Sequence, residues 1–229
     1  MSLQIFSFAM NKIKTGDGSF TFHNLDFDEV YHSVSGAEEE AVEKYAKPTN
    51  VAKLAKEKGK VKILDFCFGF GYNSAALIDA ALEANPNCKI EIIGLEIDKS
   101  LLDLVAELAP KFKNYHIIRK LKELDGVYKK GNVSLKVLYG DAIKRIHELE
   151  DDYFDICVFD PFSPRKHPEM WTEEVFKSIA KKMKYAGVLS TYSCATKVRI
   201  NLVRAGFDPK DGPCIGRRSP STIAKKIFA

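Results

Sequence analysis

The chain has 229 residues, 45% of them hydrophobic and 29% charged, with a formal net charge of +4. That length sets one large domain or one domain with a modest appendage, and the mild positive balance permits nucleic-acid binding without demanding it. No apolar run reaches membrane-span length and no basic-then-apolar leader opens the chain, so a cytoplasmic protein with no membrane partner is expected. The five cysteines (Cys67, Cys88, Cys157, Cys194, Cys214) form no C-x-x-C pair and the five histidines are unclustered. Reduced thiols and no metal site follow.

Residues 3–34 read as a β-rich preface, in which Leu3–Phe8 and Ser19–Phe22 flank the turn signal Thr15-Gly16-Asp17-Gly18 and predict a hairpin. Gly36 and the acidic run Glu38-Glu39-Glu40 follow. Acids here suit the positive end of a helix, on a solvated face or beside a substrate. This small extension is bounded at residues 1–47, and the main domain at 48–229 opens with a Lys-rich helix over 48–60.

The chain is organised around the next stretch. Val61–Phe66 is an apolar strand that carries Asp65 near its end. Cys67-Phe68-Gly69-Phe70-Gly71-Tyr72-Asn73-Ser74 is a glycine-spaced turn, and Ala75–Ala84 continues as a mostly apolar helix. Strand, turn and helix in this order begin a nucleotide-binding βαβ unit. The glycines let a ligand approach the backbone, and the helix start offers unpaired N–H groups. As a dinucleotide fingerprint the turn departs at Ser74, where Gly or Ala is wanted, and short βα loops also use glycine for geometry alone.

The second strand, Lys89–Glu96, closes on Glu96, a carboxylate suited to both hydroxyls of a ribose or simply a strand-end acid. A helix over Ser100–Ala109 stops at Pro110, and the basic stretch 111–131 reads as one more helix. Strand three, Val133–Tyr139, leads to Gly140-Asp141-Ala142, where an acid suits an adenine amine, and a short helix over 142–149. Strand four, Phe154–Phe159, ends in Asp160-Pro161-Phe162-Ser163-Pro164, before a helix Thr172–Lys184 capped by Thr172. Strand five is Val188–Ser193, then a helix ends at Gly206, and 207–229 reads as two final strands.

Five strands alternating with helices define an α/β, doubly wound parallel sheet that binds ligands at the carboxyl ends of its strands. Cofactor contacts are therefore expected from Asp65, Phe68, Gly69, Gly71 and Asn73, from Glu96 and Ile97, from Asp141 and Ala142, and from Asp160.

Several segments together resemble a known family: Asp26-Phe27-Asp28-Glu29-Val30-Tyr31, Gly36-Ala37-Glu38-Glu39, the Gly69-Phe70-Gly71-Tyr72-Asn73 turn, Phe159–Pro164, Pro168-Glu169-Met170-Trp171-Thr172, Arg204-Ala205-Gly206-Phe207 and Gly216-Arg217-Arg218. They resemble the methyltransferase domain of the MnmC family, in register from about residue 22 to 226, most specifically through Asp160 to Trp171. The resemblance implies a Rossmann-like fold, S-adenosyl-L-methionine as cofactor, and methyl transfer to the amine of 5-aminomethyl-(2-thio)uridine at the tRNA wobble position. Cys67 stands where the family's turn usually begins with Gly. Bifunctional members continue into an FAD-dependent oxidase domain. This chain stops at Ala229, so a stand-alone methyltransferase is expected, served by a separate enzyme that makes the aminomethyl group.

Methyl transfer from a sulfonium is an in-line displacement in which alignment supplies up to roughly 7–11 kcal/mol. An acceptor amine near the Lys reference of about 10.4 must shed its proton first. Asp160 is the expected catalytic residue, orienting the amine and taking its proton rather than acting as a strong base. Pro161 and Pro164 lack N–H groups, leaving the loop with carbonyl acceptors. Phe162, Tyr192 and Tyr31 are candidates to stack on the uracil, or ordinary core residues. For the anticodon stem-loop of tRNA the basic candidates are Arg165, Lys166, Lys197, Arg199, Arg217 and Arg218, while Lys181, Lys182 and Lys184 read as a solvated helix face. Two other readings stay open: a protein or small-molecule amine as acceptor, and a nucleotide-dependent oxidoreductase, against which Ser74, Asp141 and Asp160 speak.

Overall fold

The computed structural model describes residues 10–216 and 218–228. The strand expected over 3–8 and the candidate Arg217 lie outside the described residues. The N-terminal hairpin forms with a different first strand: β1 (Met10–Lys14) pairs antiparallel with β2 (Phe20–Asn24), and β3 (Glu29–Val30) adds to β2. The turn is built on Asp17, whose carboxylate accepts from Thr15 and Ser19 and, across the chain, from the Glu38 and Glu39 N–H groups at 3.1 Å. One carboxylate thus closes the hairpin and satisfies the start of α1 (Ala37–Glu40), which runs on as a π-helical turn over Ala41–Ala46.

The main sheet contains five parallel strands, β4 (Lys60–Phe66), β5 (Lys89–Glu96), β7 (Val133–Tyr139), β8 (Phe154–Phe159) and β9 (Met183–Thr191). With β6 (Val127–Lys130), β10 (Phe207–Asp211) and β11 (Thr222–Lys226) the order is β10-β11-β9-β8-β4-β5-β7-β6. β11 lies antiparallel between β9 and β10, as the final strand pair predicted. Pro209, which has no N–H for a ladder, falls on the edge strand β10.

Alternation along the strands sends side chains to two apolar layers. Val61, Ile63, Ile92, Ile156 and Val158 face α2 (Val51–Lys58), α3 (Tyr72–Ala84) and the N-terminal hairpin, whose Phe22 joins the same cluster. Leu64, Phe66, Leu95, Cys157 and Phe159 face α7 (Glu173–Lys182) and α8 (Thr196–Arg204), with Val175, Phe176, Ile179 and Leu202. Thr172 caps α7 by accepting from Val175 N–H.

The single helix expected over 111–131 does not form. After α4 (Leu101–Leu104), a short α5 (His116–Lys120) is followed by strand β6, which folds back on β7 through Gly131 in the left-handed region. Gly131-Asn132 between two short β-prone runs is a hairpin signal, masked by the surrounding lysines. Lys182 also departs from the solvated face: it is buried, and its Nζ donates to Leu149 O at 2.7 Å and Asp151 at 2.6 Å.

Candidate active site

The turn after β4 is held in a left-handed conformation at three alternate residues, Cys67, Gly69 and Gly71, with φ of 70°, 55° and 71°. Gly71 is required twice over, since a Cβ there would come within 2.8 Å of the Ile118 side chain and the Phe68 ring. At Gly69 the space is open, the nearest atom being on Tyr31 at 3.6 Å. Cys67 has no such freedom and carries the strain of a side chain at positive φ. Behind the turn, Asp65 is fully buried and accepts from Ser74 Oγ at 2.6 Å, while its other oxygen has no partner among the described residues. Burial pushes its pKa well up.

Glu96 closes β5 against this turn. Its carboxylate accepts from Gly69 N–H at 2.7 Å and from Ile97 and Asp98 N–H at 2.8 and 3.0 Å. Burial outweighs those bonds and pushes Glu96 up to about 7. From the other side Asp160, just past β8, accepts from Tyr45 Oη at 2.5 Å on one oxygen and from Asn73 Nδ2 at 2.8 Å on the other. Burial first, and then the Glu40 carboxylate, raise Asp160 to about 7.

Glu96 and Asp160 line a cavity of about 240 Å³, to whose wall the N-terminal segment adds residues from Phe27 to Lys44. Phe162 stacks on Phe27 at 4.7 Å and meets Tyr31 edge-on at 5.0 Å. Glu29 accepts from both the N–H and hydroxyl of Ser163 at 2.9 Å, tying the Asp160-to-Pro164 loop to β3. The loop's carbonyls are not simply on offer to a substrate: Pro161 O accepts from Tyr192 Oη at 3.0 Å and Phe162 O from Trp171 Nε1 at 2.8 Å. Their positions are fixed, and one lone pair of each is already engaged.

Of the residues picked out in the sequence, Tyr31, Gly69, Glu96, Ile97, Asp160, Pro161, Phe162 and Tyr192 line this cavity. Asn73 stands behind Asp160 and Asp65 beneath the turn. Phe68 does not line the cavity: its ring is buried in the core, where it fills the space over Gly94. Asp141 is likewise outside the lining. It caps α6 (Ala142–Arg145) by accepting from Ile143 N–H at 3.0 Å, and Ala142 is buried in the second apolar layer.

Among the basic candidates, Arg165, Lys197 and Arg218 are exposed. Lys166 pairs with Asp28 at 2.9 Å, and Arg199 braces α8 to Asp211 at 2.6 Å and to Ser221 and Thr222. The cavity also takes Glu40, Lys44, His32, His167, Phe27 and Glu29, and Tyr45 holds Asp160 from outside the lining. The i,i+4 spacing of Glu40 and Lys44 was the available signal for the first pair.

The arrangement suits a cationic, nucleotide-like ligand. Glu96 and Asp160 both line the cavity, and, outside that lining, buried side-chain oxygens of Asp65, Asn73 and Asp98 have no hydrogen-bond partner among the described residues. A positive charge placed here would favour the ionised carboxylates that burial alone disfavours. At Gly69 nothing but hydrogen faces the opening.

Comparisons with known proteins agree. A family profile described as S-adenosyl-L-methionine-dependent methyltransferase matches residues 105–227. The chain is 33% identical over 220 residues to uncharacterized protein MJ0670 of Methanocaldococcus jannaschii, covering 93% of this chain and 59% of that one. It is 28% identical over 209 residues to the tRNA 5-methylaminomethyl-2-thiouridine biosynthesis bifunctional protein MnmC of Ralstonia nicotianae, covering 86% of this chain and 32% of that one. The chain therefore spans less than two thirds of the length of either relative. The crystal structure of MNMC2 from Aquifex aeolicus matches with a TM-score of 0.83 at 34% identity, over 95% of this chain and 70% of that one. The carboxylate-rimmed cleft and these likenesses lead to one conclusion: the chain belongs to the S-adenosyl-L-methionine-dependent methyltransferases and is homologous to the methyltransferase portion of MnmC.

Proposed function

We propose that the protein methylates the primary amine of 5-aminomethyl-(2-thio)uridine at the wobble position of tRNA. The observation that carries this reading is Asp160, pinned by Tyr45 and Asn73 where the glycine turn meets the ring cluster of Phe27, Tyr31 and Phe162. S-adenosyl-L-methionine, when bound, supplies an electrophilic methyl group on a sulfonium. Glu96, Ile97 and Gly69 are the residues to hold its nucleoside, with Asp65 and Asn73 supporting the turn beneath.

Asp160 has a defined task. An alkyl amine arrives protonated at neutral pH and cannot attack until it loses that proton. A carboxylate raised to about 7 is a better acceptor than an ordinary one. Its two oxygens each take one hydrogen bond from the protein, and an ionised carboxylate keeps further lone pairs for the amine. Phe162 and Tyr31 offer rings to the uracil, and the tether from Glu29 to Ser163 keeps Phe162 in place. Arg165 and Lys166, adjacent to the cavity loop, are the nearest cations for the anticodon stem-loop phosphates, with Lys197, Arg199, Arg217 and Arg218 further along the chain. A cytoplasmic setting completes the proposal.

The test is incubation with S-adenosyl-L-methionine and tRNA bearing the primary amine, followed by mass analysis of the nucleosides. Conversion to the methylamino form is expected. Unchanged tRNA alongside methylation of a protein or small amine would overturn the choice of acceptor.

A further inference from the structure

Glu40 and Lys44 are the polar pair in the cavity that the proposed chemistry leaves unused. They are 7% and 3% exposed, yet both line the same cavity as Asp160. Lys44 Nζ donates to Glu40 Oε1 at 2.6 Å, and Glu40 Oε2 accepts from Ser33 N–H at 2.7 Å. Lys44 is the one lysine or arginine among the described residues that line the cavity, whose lining also carries the carboxylates of Glu29, Glu40, Glu96 and Asp160.

Both lie on the helix that turns π-helical at Ala41–Ala46, a geometry that recurs at functional sites. The same turn delivers Tyr45 to Asp160. An ion pair this deeply buried gains little stability over apolar side chains of similar size. Its chemistry is more distinctive: an ammonium with two of three N–H groups unused by the described residues, beside a carboxylate with lone pairs to spare. Phe27, Tyr31 and Phe162 add the ring walls that a flat heterocycle needs.

We propose that Lys44 and Glu40 read the imide edge of the acceptor base, Lys44 donating to a ring carbonyl while Glu40 accepts from the adjacent ring N–H. This rests on the reading that the acceptor is an aminomethylated uracil. A uracil places C=O beside N–H, the complement of this pair. A cytosine has a bare ring nitrogen in place of that N–H, so Glu40 would meet a lone pair and lose its partner whichever neighbouring group Lys44 faces. The pair contacts the base rather than the reacting amine; its influence on Asp160 is common to every acceptor, so its part in specificity is read from the ratio between bases.

The experiment uses two anticodon stem-loops, one with 5-aminomethyluridine and one with 5-aminomethylcytidine, which offer the same amine. The wild-type protein favours the uridine in kcat/KM by roughly 5- to 150-fold, the range such paired hydrogen bonds command between right and wrong bases. Lys44→Met combined with Glu40→Leu, which removes both charges together, brings the ratio toward unity, while S-adenosylhomocysteine still raises the melting temperature. If that variant slows both substrates equally and keeps the ratio, the pair acts only through Asp160 or as a helix tether, and the inference is overturned. Equal use of both substrates by the wild-type protein overturns it without any variant. Methylation of neither removes the acceptor assignment itself, and the inference with it.

Discussion

Changing Tyr45 to Phe deletes one hydroxyl from a side chain that is fully buried. That hydroxyl donates to Asp160 Oδ1 at 2.5 Å, leaving Asn73 as the carboxylate's remaining donor among the described residues. A hydrogen bond to a charged group contributes about 1.5–3 kcal/mol, or about 1–2 pH units at 1.36 kcal/mol per unit. The bond favours the ionised form, so its loss moves Asp160 further above about 7. At neutral pH the ionised fraction then drops from about a half to about a tenth or less. The assay is the pH profile of kcat/KM. Its ascending limb moves up by about one unit or more, with a roughly fivefold or larger loss near neutrality that recovers in alkali. A variant profile that superimposes on the wild-type one, or falls evenly at every pH, would refute the idea that Asp160 must be ionised to act.

Asp160→Ala leaves the melting temperature and S-adenosylhomocysteine binding close to wild type while lowering turnover at least about tenfold; near-normal turnover with saturating tRNA would remove Asp160 from the mechanism. Cys67 sits at φ 70°, where a side chain costs roughly 1–2 kcal/mol. Cys67→Gly therefore stabilises the fold in denaturant titration by about 0.5–1 kcal/mol after the entropy of an added glycine is counted, and a clear loss of stability would contradict that account of the turn. Glu96 and Asp160 are both raised to about 7 by burial. Their folded values lie above the unfolded ones, so the stability they lend is complete below the ordinary carboxylate range and is lost as pH rises through about 7. The melting-temperature gain from S-adenosylmethionine, a cation, should grow across that window more than the gain from neutral S-adenosylhomocysteine. Equal trends for the two ligands would count against a carboxylate-lined sulfonium site.

The parallel strands were legible because each is a mostly apolar run with a polar residue at or beside its end, and alternation such as Ile63 and Leu64 assigns the two faces. Two carboxylates of the cavity were legible for a related reason: Glu96 ends β5 and Asp160 follows β8, at the one edge where a wound sheet binds ligands. Asp141 shows the limit of that rule. An acid followed by a helix satisfies the helix start equally well, and here it does so. The direction of the Phe68 ring was not legible, because backbone position in the turn does not tell which way a ring points, and glycine at 94 leaves it a place in the core. The cavity wall proposed for the acceptor was the least readable part. It is assembled from β3, α1 and the loop after β8, the first two more than a hundred residues before the third, as in the bond from Tyr45 to Asp160. A run of three glutamates looks like a solvated helix start until the hairpin folds over Glu40 and the π-helical turn swings Lys44 and Tyr45 inward.

The account turns on which atom receives the methyl group. Incubating tRNA that carries 5-aminomethyluridine with methyl-labelled S-adenosylmethionine, and fragmenting the recovered nucleoside in a mass spectrometer, locates it directly. The label is expected on the exocyclic amine nitrogen and to be sharply reduced when the Asp160→Ala protein is used. Label on a ring atom or the ribose, or undiminished labelling by the variant, would contradict it.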